Sequence, residues 1–165
     1  MANVDDPRGF IPLHTGKPVR VRRYAKATGA AIYQGDLVSL AADGEVDPAA
    51  NGGGKCLGVA AEYASSTDTE IAVYDDPDTT FIAQCDGSFA LADVGLNADI
   101  VATTGSGLTS AHEVQSASLA TTVSLPLKVI GLSPKPKGNV VGTNAVVEVK
   151  LNNCVHGNGD GSTGI

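Results

Sequence analysis

The stretch from Glu70 to Asp86 does most to limit what this chain can fold into. Two short apolar runs, residues 71–74 and 81–85, flank an acidic corner, Asp75-Asp76-Pro77-Asp78. Both runs are rich in β-branched and aromatic residues and too short for amphipathic helices, so they read as strands. Pro77 fixes its own φ and biases Asp76 towards extended backbone, which makes the corner a break between strands. The prediction is a β-arch or wide hairpin at the middle of an all-β domain, with Ile71 and Val73 facing Phe81, Ala83 and Cys85.

The rest of the chain carries the same signal. Val19 and Val21 alternate with Arg20 and Arg22, and Arg23 and Tyr24 follow, a half-buried strand with one apolar and one basic face. Residues 31–42 read as two strand pieces interrupted at Gly35-Asp36, and Asp43-Gly44 is a turn dipeptide. Residues 55–63 are apolar through their middle, as in a central strand. Residues 103–122, mostly Ser, Thr, Ala and Gly, read as loops around weak strands near Leu108 and Val114. Pro126 belongs at the start of a strand over 125–132. Ser133-Pro134-Lys135-Pro136-Lys137 is a stiff, solvated loop, and residues 147–152 alternate strictly. About eight or nine short strands at a spacing of about 8–12 residues define a single small sandwich or barrel. It spans residues 18–152, with an extended N-terminal arm over 1–17 and a flexible glycine-rich tail over 153–165.

Composition bounds the core and the function classes. Aromatic residues are 4% and Trp is absent, so Val, Ile, Leu and Ala must build the interior; such a thin core favours association with other subunits. The three cysteines lack C-x-x-C spacing and are odd in number, which predicts reduced, mostly buried thiols in a protein made in the cytoplasm. The N-terminus has no signal-peptide profile, and no apolar run approaches the ~20 residues of a membrane span, so a soluble protein outside the general secretory route is expected. Residues 1–26 hold six bases against two acids, a net +4. The remainder holds five bases against sixteen acids, −11. A basic front on an acidic body argues against a nucleic-acid binder, which needs a positive face for phosphates.

No motif carries catalysis, and an enzyme is not expected. Asn51-Gly52-Gly53-Gly54-Lys55 falls short of a phosphate loop, because Ala49 and Cys56 stand where Gly and Ser or Thr are needed and a strand follows. The acidic corner lacks calcium-loop spacing and reads as a turn with solvated carboxylates, adventitious cation binding being the alternative. His14, His112 and His156 stand apart from other metal-ligating types. Neither a metal nor a cofactor is expected. What remains is binding. Arg8, Phe10, Ile11 and Leu13 place charge and apolar anchors on an arm that could order on a partner. Arg20, Arg22 and Arg23 form a basic face suited to carboxylates of a neighbouring protein.

Several phrases, in order, carry a resemblance: Arg8-Gly-Phe-Ile-Pro, Gly35-Asp-Leu-Val, Tyr74-Asp-Asp-Pro-Asp, Asp93-Val-Gly-Leu-Asn-Ala-Asp-Ile, Leu127-Lys-Val-Ile-Gly-Leu and Gly142-Thr-Asn-Ala-Val-Val-Glu-Val-Lys-Leu-Asn. Together, over about residues 8–152, they resemble the capsid cement or decoration proteins of tailed bacteriophages. That resemblance implies a mostly β virion protein on the exterior of an icosahedral shell. Such proteins are often homotrimers that clamp adjacent major capsid protein subunits, without touching nucleic acid or membrane, and they are made in the host cytoplasm. It supplies no catalytic residues and leaves the tail after Asn153 without a counterpart. The alternative is a β-sandwich module on a phage tail or surface structure that binds glycan or protein. The scarcity of aromatics, on which sugars stack, weakens its glycan form.

Overall fold

The computed structural model describes residues 3–14, 16, 18–52, 54–157 and 161–165. The arm and tail of the sequence reading therefore extend at 1, 2, 15, 17 and 158–160 beyond the described residues. Thirteen strands form in the described chain: β1 (Ile11–Pro12), β2 (Val21–Ala25), β3 (Leu37–Leu40), β4 (Val46–Pro48), β5 (Cys56–Ala60), β6 (Glu70–Tyr74), β7 (Thr80–Gln84), β8 (Ser88–Phe89), β9 (Asn97–Val101), β10 (Glu113–Ala120), β11 (Leu127–Leu132), β12 (Gly142–Thr143) and β13 (Val146–Leu151). The excess over the predicted eight or nine comes partly from two-residue ladders, β1, β8 and β12, whose sequences carry no strand period. A single 3-10 turn, Leu91–Asp93, is the helical element among the described residues.

The strands make an all-β sandwich. A six-stranded antiparallel sheet, ordered β1-β7-β13-β11-β9-β10, faces a five-stranded one, ordered β2-β6-β5-β3-β4. Phe81, Ala83, Val147 and Val149 from the first sheet pack with Leu37, Cys56 and Val59 from the second in the main core. The five-stranded sheet also curls. Lys26 bridges Val46, and the Ala27 N–H bonds the Val46 carbonyl at 3.2 Å, bringing the end of β2 to β4. Inside the curl lies a second core of Ile32, Val38, Val46, Leu57, Ile71 and Val73. Strand β5 separates the two cores, with Cys56 and Val59 in one and Leu57 and Ala60 in the other, so all five residues are buried. That is the reason residues 56–60 lack a polar alternation.

The acidic corner resolves as the arch. β6 lies in the curled five-stranded sheet and β7 in the six-stranded one, so the chain crosses between layers at residues 75–79. The predicted facing of Ile71 and Val73 onto Phe81, Ala83 and Cys85 is corrected, since these groups fill different cores. Tyr74 makes the link, its ring 6.4 Å from that of Phe81. The region read as weak strands contains the eight-residue β10 paired with β9. Its small residues hide it, because β10 is an edge strand with only part of one face buried. The tail residues 153–157 lie beside β5, where the Cys56 N–H bonds the Asn153 carbonyl at 3.0 Å and the Val155 N–H bonds the Cys56 carbonyl at 2.8 Å. The chain end returns too, with the Ile165 N–H on the Gly95 carbonyl at 3.1 Å. All three cysteines are reduced and buried.

Candidate functional site

The residues singled out for binding fall into three settings. Phe10 is 1% exposed and belongs to the main core, which corrects its assignment as a surface anchor. Its N–H bonds the Gly35 carbonyl at 2.9 Å, and the Leu13 N–H bonds the Thr80 carbonyl at 2.8 Å. Gly9 fits beneath because a Cβ there would run into the side chain of Ser110 and the carbonyl of Gly35. The described part of the arm is thus a strap on its own body. Leu13 is half-buried, whereas Arg8 and Ile11 remain exposed.

The three arginines do not share one face. Strand period two puts Arg20, Arg22 and Tyr24 on one side of β2 and Val21 and Arg23 on the other. The carboxylate of Asp75 is fully buried, not solvated as the corner reading expected, and collects the first group. Arg20 Nε donates to Oδ1 at 2.7 Å, and the Tyr24 hydroxyl donates to Oδ2 at 2.6 Å. Arg22 Nε and His156 Nε2 stand 3.5 and 3.6 Å from Oδ2. Burial alone would raise the Asp75 carboxyl; the hydrogen bonds from Tyr24 and Arg20 outweigh it and hold the group below the usual carboxylate range. Burial, with the same hydrogen bond, pushes the Tyr24 phenol up to about 12. Asp75 follows Ile71 and Val73 on the inward face of the curl, so this cluster closes the open end of the second core. Arg23 pairs with Glu62 and Glu70 at 3.3 and 3.7 Å. The basic face is therefore answered by acids of the same chain, and its exposed pairs contribute little stability.

His112, read as a loop residue, is 3% exposed. Its Nδ1 accepts the Leu37 N–H at 3.2 Å, which leaves the ring proton on Nε2, 3.5 Å from Asp36 Oδ1. A second proton would have to enter at Nδ1, against the Leu37 N–H. Burial lowers the His112 pKa more than the Asp36 carboxylate raises it. The folded state thus binds fewer protons than the unfolded state below the ordinary value of about 6.5. Stability therefore falls as pH drops from about 6.5 towards the depressed value, with a slope of at most about 1.4 kcal/mol per pH unit from this group. Urea titrations between pH 7 and 5 on the native protein and His112→Gln check it, and the variant loses that part of the slope.

Arg8 and Ile11 come together with residues the sequence did not single out. The strap and the loop after β11 enclose a cleft of about 510 Å³ on the outer face of β7 and β13. Asn3 ties the two walls at one end, its Nδ2 donating to the carbonyls of Val140 and Thr143 at 2.8 and 3.0 Å. Gln84 fixes the strap from the floor. Its side-chain oxygen accepts the Asp6 N–H at 2.9 Å, and its Nε2 donates to the Val4 carbonyl at 2.6 Å. Ile11, Ile82 and Val146 line the cleft, and Arg8, Lys135 and Lys137 bring cations to it. The available signal was the lysine pair alternating with prolines in the 133–137 loop. Nothing local tied it to Ile11.

Among the described residues no three His, Cys, Asp or Glu side chains converge as a metal site. Nor is any described helix long and apolar enough to cross a membrane. No protein-family model matches the chain, and no curated protein matches it.

Proposed function

We propose that this chain is a structural virion protein that binds the outer surface of an icosahedral phage capsid and clamps adjacent major capsid protein subunits. The observation that carries the reading is the exposed pair Arg8 and Ile11, presented at a cleft by a strap that Phe10 locks into the core. A rigid, preorganised contact loses little entropy on docking, which suits a subunit whose many copies each bind modestly. The ordered phrases from residue 8 to 152 point the same way, and the acidic body keeps clear of packaged DNA. In this reading the protein acts as a homotrimer on the capsid exterior after synthesis in the host cytoplasm, catalyses nothing, and contacts neither nucleic acid nor membrane.

Co-sedimentation with expanded capsid shells tests the function. The native protein pellets with the shells, and Arg8→Glu combined with Ile11→Asp stays in the supernatant while keeping the native melting temperature. Absence of the native protein from the pellet overturns the assignment. Removing the whole arm is a poor substitute, because it also takes Phe10 out of the core.

A further inference from the structure

We infer that the cleft between the strap and the 133–139 loop receives an extended segment of the partner in which acidic residues flank aliphatic ones. This deepens the capsid reading and rests on it for the partner's identity, though not for the chemistry of the cleft.

The floor crosses β1, β7 and β13. Ile11 lies opposite Ile82 in the ladder, and Val146 lies opposite Gln84 on the next strand. Three adjacent strands span about 10 Å, so the floor can take apolar side chains from an extended chain rather than a single methyl group. Ile11 is 42% exposed, and Val4, in the same lining, is 78% exposed. These two exposed side chains, with half-buried Ile82 and Val146, offer an aliphatic strip that apolar groups of another chain would cover.

The walls set the charge of the occupant. Arg8 stands on the strap, and Lys135 and Lys137 stand on the loop across from it, with Asp6 the lone acid in the lining. Asp6 is already engaged, because Arg8 Nε and Nη2 both reach its Oδ2, at 3.0 and 2.6 Å. That pair cancels, so the net positive charge of the rim comes from Lys135 and Lys137, beside an aliphatic floor on a protein whose net charge is −7. A basic or neutral apolar segment would desolvate the lysines without pairing them. A polyanion with no aliphatic groups would leave the floor wet. An acidic–aliphatic segment satisfies both, since the alternating faces of an extended chain turn apolar groups down and carboxylates to the rim.

The test uses the full-length protein labelled with ¹⁵N and a short blocked peptide alternating Glu and Val. Its controls are the Lys–Val peptide and polyglutamate. The Glu–Val peptide shifts the amides of Ile11, Ile82, Lys135, Lys137 and Val146, and its affinity falls at least tenfold in Lys135→Glu/Lys137→Glu and with added salt. Both lysines are exposed, so the double variant keeps the native melting temperature. Equal response to the Lys–Val peptide, equal binding of polyglutamate, or shifts confined to other surfaces would each overturn the inference. Sedimentation with shells separates the two claims. Peptide binding without shell binding removes the capsid assignment and leaves the cleft. Shell binding unchanged in the double lysine variant removes the cleft.

Discussion

Phe10→Ala lowers the unfolding free energy by about 3–5 kcal/mol, while Ile11→Ala, one residue further on, changes it by about 0.5 kcal/mol or less. The contrast follows from 1% against 42% exposure on neighbouring positions of one strap. Removing the Phe10 ring leaves a cavity in the main core, whose residues are held by both sheets and cannot collapse into it freely. It also releases the segment that carries Arg8 and Ile11 to the cleft. Ile11 loses only half-exposed surface. Urea unfolding monitored by circular dichroism measures both. A Phe10→Ala protein as stable as the native one would mean that the strap is not docked.

Gly58→Ala costs about 3 kcal/mol or more, despite adding a single methyl group. Gly58 lies at the middle of β5, between the two cores, where β6 passes close by. A Cβ there would collide with the carbonyl oxygen of Tyr74 and approach Val73 Cγ1 to 2.7 Å. The first obstacle is backbone fixed in a ladder, so no rotamer change relieves it. The layers must part, or β5 and β6 must lose their pairing. Gly131→Ala is the control, because a Cβ at that position of β11 meets nothing within 4 Å and its stability stays within about 0.5 kcal/mol of native. Thermal unfolding of the two variants side by side measures the difference, and equal melting temperatures would refute the close approach.

The residues proposed for binding were legible in unequal degree. Arg8 and Ile11 stand out as charge and aliphatic surface in a segment without helical period, and the structure leaves both exposed. Phe10 has the same local context and the opposite fate. What separates them is the backbone hydrogen bond to Gly35 and a place in the main core, both set by residues far along the chain. The arginine trio misled for a related reason. Period two already splits Arg20 and Arg22 from Arg23, but that Asp75 receives the first pair depends on β2 lying against β6, with Val21 opposite Tyr74. His112 carried no signal at all, since its burial comes from the neighbourhood of Leu37 and Asp36.

Short β-branched runs, their turn residues and the missing helical period were enough to specify an all-β chain, the break at Pro77, the central place of residues 56–60 and the alternation of β13. These are local properties, set by side chains acting on their own backbone and on the next residue but one. Only the tertiary structure decided that the sheet after β2 curls around a second core, that the acidic corner buries Asp75 as a polar plug, and that strap and loop meet to form a cleft. Each of those depends on which distant segments share a face, and pattern along a chain holds no record of that when several strands of equal character could pair.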